Sequence, residues 1–176
     1  RKRLSEVLEE LPDGVVVLDI EPGATFGMGD HPTTVLALRA LRSLMSTGGV
    51  STVLDVGCGS GVLAIAAVRL GAASAVAIDI SLAAAVTTAE NAVRNGVADR
   101  IEASTTPLQA VTGTYDVVLA NILAPALIEL SGDLRRVLAP GGSLVISGIL
   151  ADRHDHVLAA LAPLRMIETL ELDGWV

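Results

Sequence analysis

Val53-Leu54-Asp55-Val56-Gly57-Cys58-Gly59-Ser60-Gly61 reads as a short apolar strand running into three closely spaced glycines, with an apolar helical stretch behind them. A sharp turn that must let a ligand approach the backbone needs glycine, which has no Cβ to obstruct it. In the nicotinamide-dinucleotide fingerprint two residues separate the second and third glycines, whereas here Ser60 stands alone between them. A dinucleotide-binding Rossmann domain is therefore the weaker of two readings. Asp79 closes the next predicted strand, where a carboxylate can accept hydrogen bonds from ribose hydroxyls.

Outward from this loop the pattern alternates. Apolar strands are predicted near 52–56, 75–79, 100–103, 116–121 and 143–148, and helices near 61–70, 82–95, 125–138 and 153–162. Ser81 is a predicted N-cap and Gly96 a C-terminal stop for the helix between them. Val117-Val118-Leu119 is apolar on both sides of its pleat, as in a parallel sheet covered by helices. The expected fold is α/β, a doubly wound, mostly parallel Rossmann-like sheet flanked by helices, in a single domain over 1–176. Residues 1–20 are expected to be a leading segment ending in a strand over Val15–Ile20. A glycine-rich loop is expected at 21–31, and then a helix opened by Pro32. Both ends look cut: Arg1 is not an initiator Met, and a new apolar run begins at Trp175-Val176, so the last strand is expected to be truncated.

Composition narrows the partners. Of 176 residues 51% are hydrophobic, which excludes a disordered chain. The longest uncharged stretch, Val137–Ala151, is interrupted by Pro140 and three glycines, so no membrane span is expected. With no recognisable leader, the expected location is the cytoplasm. One cysteine, Cys58, excludes an internal disulfide and a multi-cysteine zinc site. The net charge of -8 and the 2% aromatic content argue against direct nucleic-acid binding and favour a cationic partner.

With Asp55 before the glycines and Asp79 after them, the central segment resembles motif I and the ribose-binding acid of class I S-adenosylmethionine-dependent methyltransferases. Leu138-Ala139-Pro140-Gly141-Gly142 resembles that superfamily's connector before the fifth strand. Three further segments narrow the resemblance: Glu21-Pro22-Gly23-Ala24-Thr25-Phe26-Gly27-Met28-Gly29-Asp30-His31-Pro32-Thr33-Thr34, Asn121-Ile122-Leu123-Ala124-Pro125, and Ser147-Gly148-Ile149-Leu150. Together they resemble the ribosomal protein L-eleven methyltransferase family, from about Glu21 to Trp175. Met28 stands where that family usually has Thr, and about 14 residues precede the first predicted strand, where that family places a small substrate-capturing domain.

The resemblance implies S-adenosylmethionine as cofactor, S-adenosylhomocysteine as product, no metal, and contacts to cofactor from Thr34, Gly57, Asp79 and Asn121. It also implies methylation of lysine side chains and the N-terminal amine of a basic ribosomal protein. Gly59 and Gly61 join the cofactor set as members of the glycine turn.

The residues themselves leave alternatives open. Thr33 and Thr34 lie in the first turn of a helix, where free N–H groups favour an anion such as the cofactor carboxylate, or they cap that helix. Phe26 and Met28 form a lid over the cofactor or a loop tucked onto the core. His31 touches cofactor or substrate, or packs the helix terminus. Asn121 binds cofactor and orients an incoming amine as the catalytic residue, or it is a turn residue. The aliphatic Ile122, Leu123 and Ala124 after it offer no stacking partner for a flipped base. Cys58, the pair His154 and His156, and the arginines Arg135 and Arg136 read as a tight-turn residue, a solvated surface and an exposed helix end.

The expected activity is methyl transfer to a protein amine. A small-molecule N- or O-methyltransferase and a non-catalytic cofactor-binding module are the alternatives.

Overall fold

The computed structural model describes residues 12–26 and 29–176. Met28 and the first eleven residues lie outside that set. The elements are α1 (Pro32–Ser46), β1 (Thr52–Val56), α2 (Val62–Arg69), β2 (Ser74–Ile78), α3 (Leu82–Arg94), β3 (Ile101–Ser104) and β4 (Tyr115–Asn121). They are followed by α4 (Ala124–Glu129), α5 (Ser131–Arg136), β5 (Leu138–Ser147) and α6 (His154–Ala160). All five strands are parallel, in the order β3-β2-β1-β4-β5. The winding direction reverses between β1 and β4. Ligands of open α/β sheets bind at that reversal, outside the carboxyl ends of the strands.

Both faces of the sheet are covered, which is why the strands read as continuous apolar runs. Val53, Ala75, Ala77, Val117 and Leu119 pack in one core with α2 and buried residues of α1 and α3. Leu54, Val56, Ile78, Val118 and Ala120 pack in the other, with Leu127, Leu134 and Val157 of α4, α5 and α6. Helix ends follow the expected chemistry. Ser81 accepts from Ala84 N at the start of α3. At its end Gly96 (φ +68°) lets Gly96 N reach Val93 O at 3.0 Å and Val97 N reach Ala92 O at 2.9 Å, a Schellman closure.

The structure departs from the sequence reading in four places. Val15–Ile20 is extended but pairs with no strand. Its ladder partners are side chains: Asp19 and Asn95 exchange two hydrogen bonds (2.9 and 2.8 Å), and Glu21 and Asn91 exchange two more (3.0 and 2.8 Å). Alternate residues of an extended chain lie about 6.6 Å apart and residues i, i+4 of a helix about 6 Å apart, so the two amides of α3 match the repeat. The helix expected over 125–138 is two, α4 and α5, interrupted where Ser131-Gly132 begins the second. The connector 138–142 is already part of β5, whose register against β4 shifts between Tyr115 and Val117. A Cβ at Gly142 would meet the carbonyl oxygens of Ala139 and Asp116 at 2.9 Å, so only glycine fits that irregularity. Finally, Arg135 and Arg136 are tethers: Arg135 donates to Ala160 O and Ala162 O, and Arg136 to Val111 O and Leu108 O.

Candidate active site

A cavity of about 900 Å3 opens at the carboxyl ends of β1, β2 and β4. Its walls include Phe26, Thr34, Gly57, Gly59, Asp79 and Asn121, residues scattered over 96 positions of sequence. A smaller cavity of about 390 Å3 lies along β5 and contains none of the six.

The glycine turn forms the floor. Gly57 and Cys58 donate backbone N–H bonds to Ile78 O, fastening the turn to the end of β2. A Cβ on Gly57 (φ +76°) would stand 2.4 Å from Ile122 Cγ2, and one on Gly59 (φ +54°) 2.5 Å from Phe26 O. The turn is therefore pressed between the residue after Asn121 and the loop that carries Phe26. Gly61 serves differently from the expectation: it does not line the cavity, and its missing side chain lets α2 begin against Thr88 of α3.

Asp79 is held by its own neighbourhood. Oδ2 accepts from Gly59 N at 3.0 Å and Oδ1 from Ser81 N at 2.9 Å. A carboxylate has about four acceptor positions, so one remains on each oxygen for a pair of vicinal hydroxyls. Ile80, fully exposed beside it, offers an apolar surface next to those positions.

On the opposite wall, Asn121 Nδ2 donates to Thr34 Oγ1 at 3.3 Å, and Thr34 is buried. The first turn of α1 is not an open anion site. Thr33 N donates to His31 Nδ1, Thr34 N and Val35 N both donate to His31 O, and Pro32 has no N–H. The expected seat for a carboxylate at these N–H groups is thereby removed, and His31 is the N-cap. His31 also lies outside the cavity lining. It stacks edge-on between Phe26 (5.1 Å between centroids) and Trp175 (5.4 Å). Trp175 escaped the sequence reading because it lies at the far end of the chain. Antiparallel bridges to Leu150 and Leu172 hold it against His31, beside the cavity and outside its lining.

Cys58 is buried and takes a hydrogen bond from Thr88, and burial pushes its thiol up to about 12, so it is a neutral packing residue. His154 bonds Ala151 O and faces Asp155, and His156 is exposed, as a surface reading requires. No group of His, Cys, Asp and Glu suited to a metal occurs among the described residues.

The parallel sheet, the glycine turn at its reversal point and the acid that follows β2 form a nucleotide-binding arrangement at the carboxyl edge of the sheet. The lining residues fit S-adenosylmethionine, with Gly57 and Gly59 leaving backbone accessible to a nucleoside and Asp79 keeping acceptor positions for a ribose. The family model of ribosomal protein L11 methyltransferase (PrmA) matches residues 4–176. Ribosomal protein L11 methyltransferases of Geobacter sp. (strain M21) and Geotalea daltonii are 48% and 44% identical over 167 and 173 residues, 93% and 92% of this chain. A solved structure of ribosomal protein L11 methylase from Lactobacillus delbrueckii subsp. bulgaricus superposes with a TM-score of 0.84 at 33% identity, covering 96% of this chain and 88% of that one. The chain belongs to the ribosomal protein L11 methyltransferase family. It spans about half the length, 55%, of those two curated relatives.

Proposed function

We propose that this chain transfers the methyl group of S-adenosylmethionine to an amine of a basic ribosomal protein, a lysine side chain or the N-terminus. The observation that carries this reading is Asn121. It ends β4 at the sheet's reversal point, tied to Thr34, with the aliphatic Ile122 beside it and no aromatic in the three positions that follow. Such a slot suits an unbranched amine better than a flat base, which would need a stacking partner. The names of the relatives support a ribosomal protein as acceptor, and the net charge of -8 favours a cationic one.

The sulfonium of the cofactor supplies an already activated methyl group. The chain's part is then to hold the two reactants in line and to keep the amine neutral. The Asn121 amide oxygen, free of the bond that its nitrogen makes to Thr34, can accept from the amine N–H and aim its lone pair. Ile122, Ala126 and Leu130 surround the slot with apolar surface that disfavours the ammonium form. Of the two carboxylates among the described cavity residues Asp79 is engaged by Gly59 and Ser81 and Glu129 is exposed to solvent, so the amine proton leaves to water at the open mouth. Phe26, 58% exposed at that mouth with its carbonyl fixed to Ser60 N at 3.1 Å, is the side chain placed to cover the reactants.

The test is incubation with labelled S-adenosylmethionine and purified basic ribosomal proteins, with small amines and phenols in parallel. Label in a ribosomal protein at lysine or the N-terminal amine is the expected result. Label in the small acceptors alone overturns the protein assignment, and none in any acceptor with cofactor bound points to a binding module.

A further inference from the structure

Beneath the glycine turn lies a carboxyl group with nothing to hold it. Asp55 is 1% exposed, and its two carboxyl oxygens are the buried side-chain polar atoms without a hydrogen-bond partner among the described residues. It stands in the middle of the sheet, paired between Ala77 of β2 and Leu119 of β4, both fully buried. The residues on either side of it in the fold belong to the cavity: Val56 and Gly57 follow it in sequence, and Val62 and Leu63 open the helix above it. A buried carboxylate without a partner is costly, and an apolar residue would fill the same space at less expense.

We propose that Asp55 is the counter-charge of the cofactor: its buried carboxyl releases a proton to solvent when the cationic cofactor enters the cavity, so that cofactor affinity rises with pH. This rests on cofactor occupancy of the cleft and is independent of which amine accepts the methyl group.

The electrostatic surroundings leave that role open. Burial pushes Asp55 up to about 7; the Ala64 N–H in the first turn of α2 lowers it without closing a hydrogen bond, and Asp79 raises it further. The neighbouring elements bring no positive charge to it; on α3 the charged groups, Glu90 and Arg94, are exposed. The turn contributes Cys58, a neutral thiol, and β2 leads to Asp79. On β4 the ionisable groups are Tyr115 and Asp116, and Asp116 is bonded to Ser51 N and Thr52 N at the opposite end of β1. In α2 the one ionisable residue is Arg69 in the last turn, bonded to Asn95 O. From α1, Arg39 and Arg42 are exposed, and His31 is occupied at the N-cap. The cation that Asp55 lacks must come from outside, and S-adenosylmethionine brings both a sulfonium and an ammonium. A positive charge entering the cavity, which Val56, Gly57, Val62 and Leu63 line and Asp55 itself does not, favours the carboxylate behind that wall, and each pH unit by which it lowers the titration is a tenfold gain in affinity at high pH.

Titration calorimetry of S-adenosylmethionine at pH 6, 7 and 8, in two buffers of different ionisation heat, tests this. The expected result is affinity about tenfold tighter at pH 8 than at pH 6, with roughly half a proton released at pH 7. In Asp55→Asn the cofactor still binds, but the proton release and the slope attributable to this group disappear. The cofactor's own amine titrates equally with both proteins and cancels in the comparison. Equal proton release in the two proteins, or a flat profile in the wild type, overturns the proposal. If Asp55→Asn does not fold, the carboxyl carbon shift of Asp55 in labelled wild type decides: its titration moves to lower pH with cofactor, and an unmoved titration overturns it. Absence of binding at every pH would overturn the cleft assignment together with this proposal, whereas binding without proton release overturns this proposal alone.

Discussion

The side-chain amide of Asn121 donates to the hydroxyl of Thr34 at 3.3 Å, joining the tip of β4 to the first turn of α1 across 87 positions of sequence. The bond uses one amide hydrogen and fixes the plane of the group, which leaves its oxygen aimed by structure instead of by chance. Removing the amide should therefore damage orientation more than binding. Asn121→Ala is expected to lower single-turnover rate on the order of 100-fold, while cofactor affinity falls by the ~0.5–1.5 kcal/mol of one neutral hydrogen bond. Asn121→Asp should be slower still, because a carboxylate attracts the ammonium, which has no lone pair. Wild-type turnover in both variants would make Asn121 a structural residue.

Asp79 offers a different test, since its two oxygens already restrain the backbone of Gly59 and Ser81. Asp79→Ala is expected to weaken S-adenosylmethionine binding roughly 10- to 100-fold, the equivalent of a charge-assisted hydrogen bond of about 1.5–3 kcal/mol. Asp79→Asn keeps one acceptor oxygen and should fall between the two. Calorimetry on folded protein reads both, and unchanged affinity would remove the ribose assignment.

The Phe26 loop should tighten with cofactor. Ser60 N donates to Phe26 O and Thr25 N to Pro22 O, so these two amides report closure directly. Their hydrogen exchange is expected to slow when S-adenosylmethionine is added. Equal protection in both states would mean that the loop is part of the core.

Asp55 makes stability depend on pH. In the unfolded chain the carboxyl has its ordinary value of 3.8; in the fold burial pushes it up to about 7. Below 3.8 it is neutral in both states. Between the two values the folded state binds more protons, so its contribution to stability falls as pH rises, and the loss is complete above about 7. The full difference is on the order of 4 kcal/mol at about 1.4 kcal/mol per unit. Asp55→Asn should flatten that part of the profile and be more stable than wild type at pH 8, as read by chemical denaturation. A wild-type profile indistinguishable from the variant would place the titration elsewhere.

The clamp between α3 and the leading segment can be removed on its own. Asn95→Ala deletes two bonds to the Asp19 backbone and one to Asn91 O, leaving Asp19 N and O without their partners. The expected cost is about 1–3 kcal/mol, with exchange at Asp19 N rising sharply. An unchanged exchange rate there would show that the segment is held by Leu18 and Ile20 packing instead.

The sequence determined the α/β alternation, because strand and helix patterns are local: apolar runs of four to seven residues, Ser81 and Gly96 at the ends of one helix, glycines where the turn needs φ above zero. It also marked the floor of the cavity, since Gly57, Gly59 and Asp79 follow from one strand–turn–helix–strand unit. Tertiary structure decided the rest. Val15–Ile20 has the β-branched composition of a strand, but strandedness requires a neighbour, and here the neighbours are two asparagine side chains of a helix. The N–H groups of α1 looked open in sequence and are closed by His31, whose carbonyl takes Thr34 N and Val35 N and whose ring takes Thr33 N. Trp175 meets His31 because a backbone bridge to Leu150 carries it there. Asp55 stands out in sequence only as the acid before the glycines; that two flanking strands and a helix exclude water from it is a property of packing, which no local pattern contains.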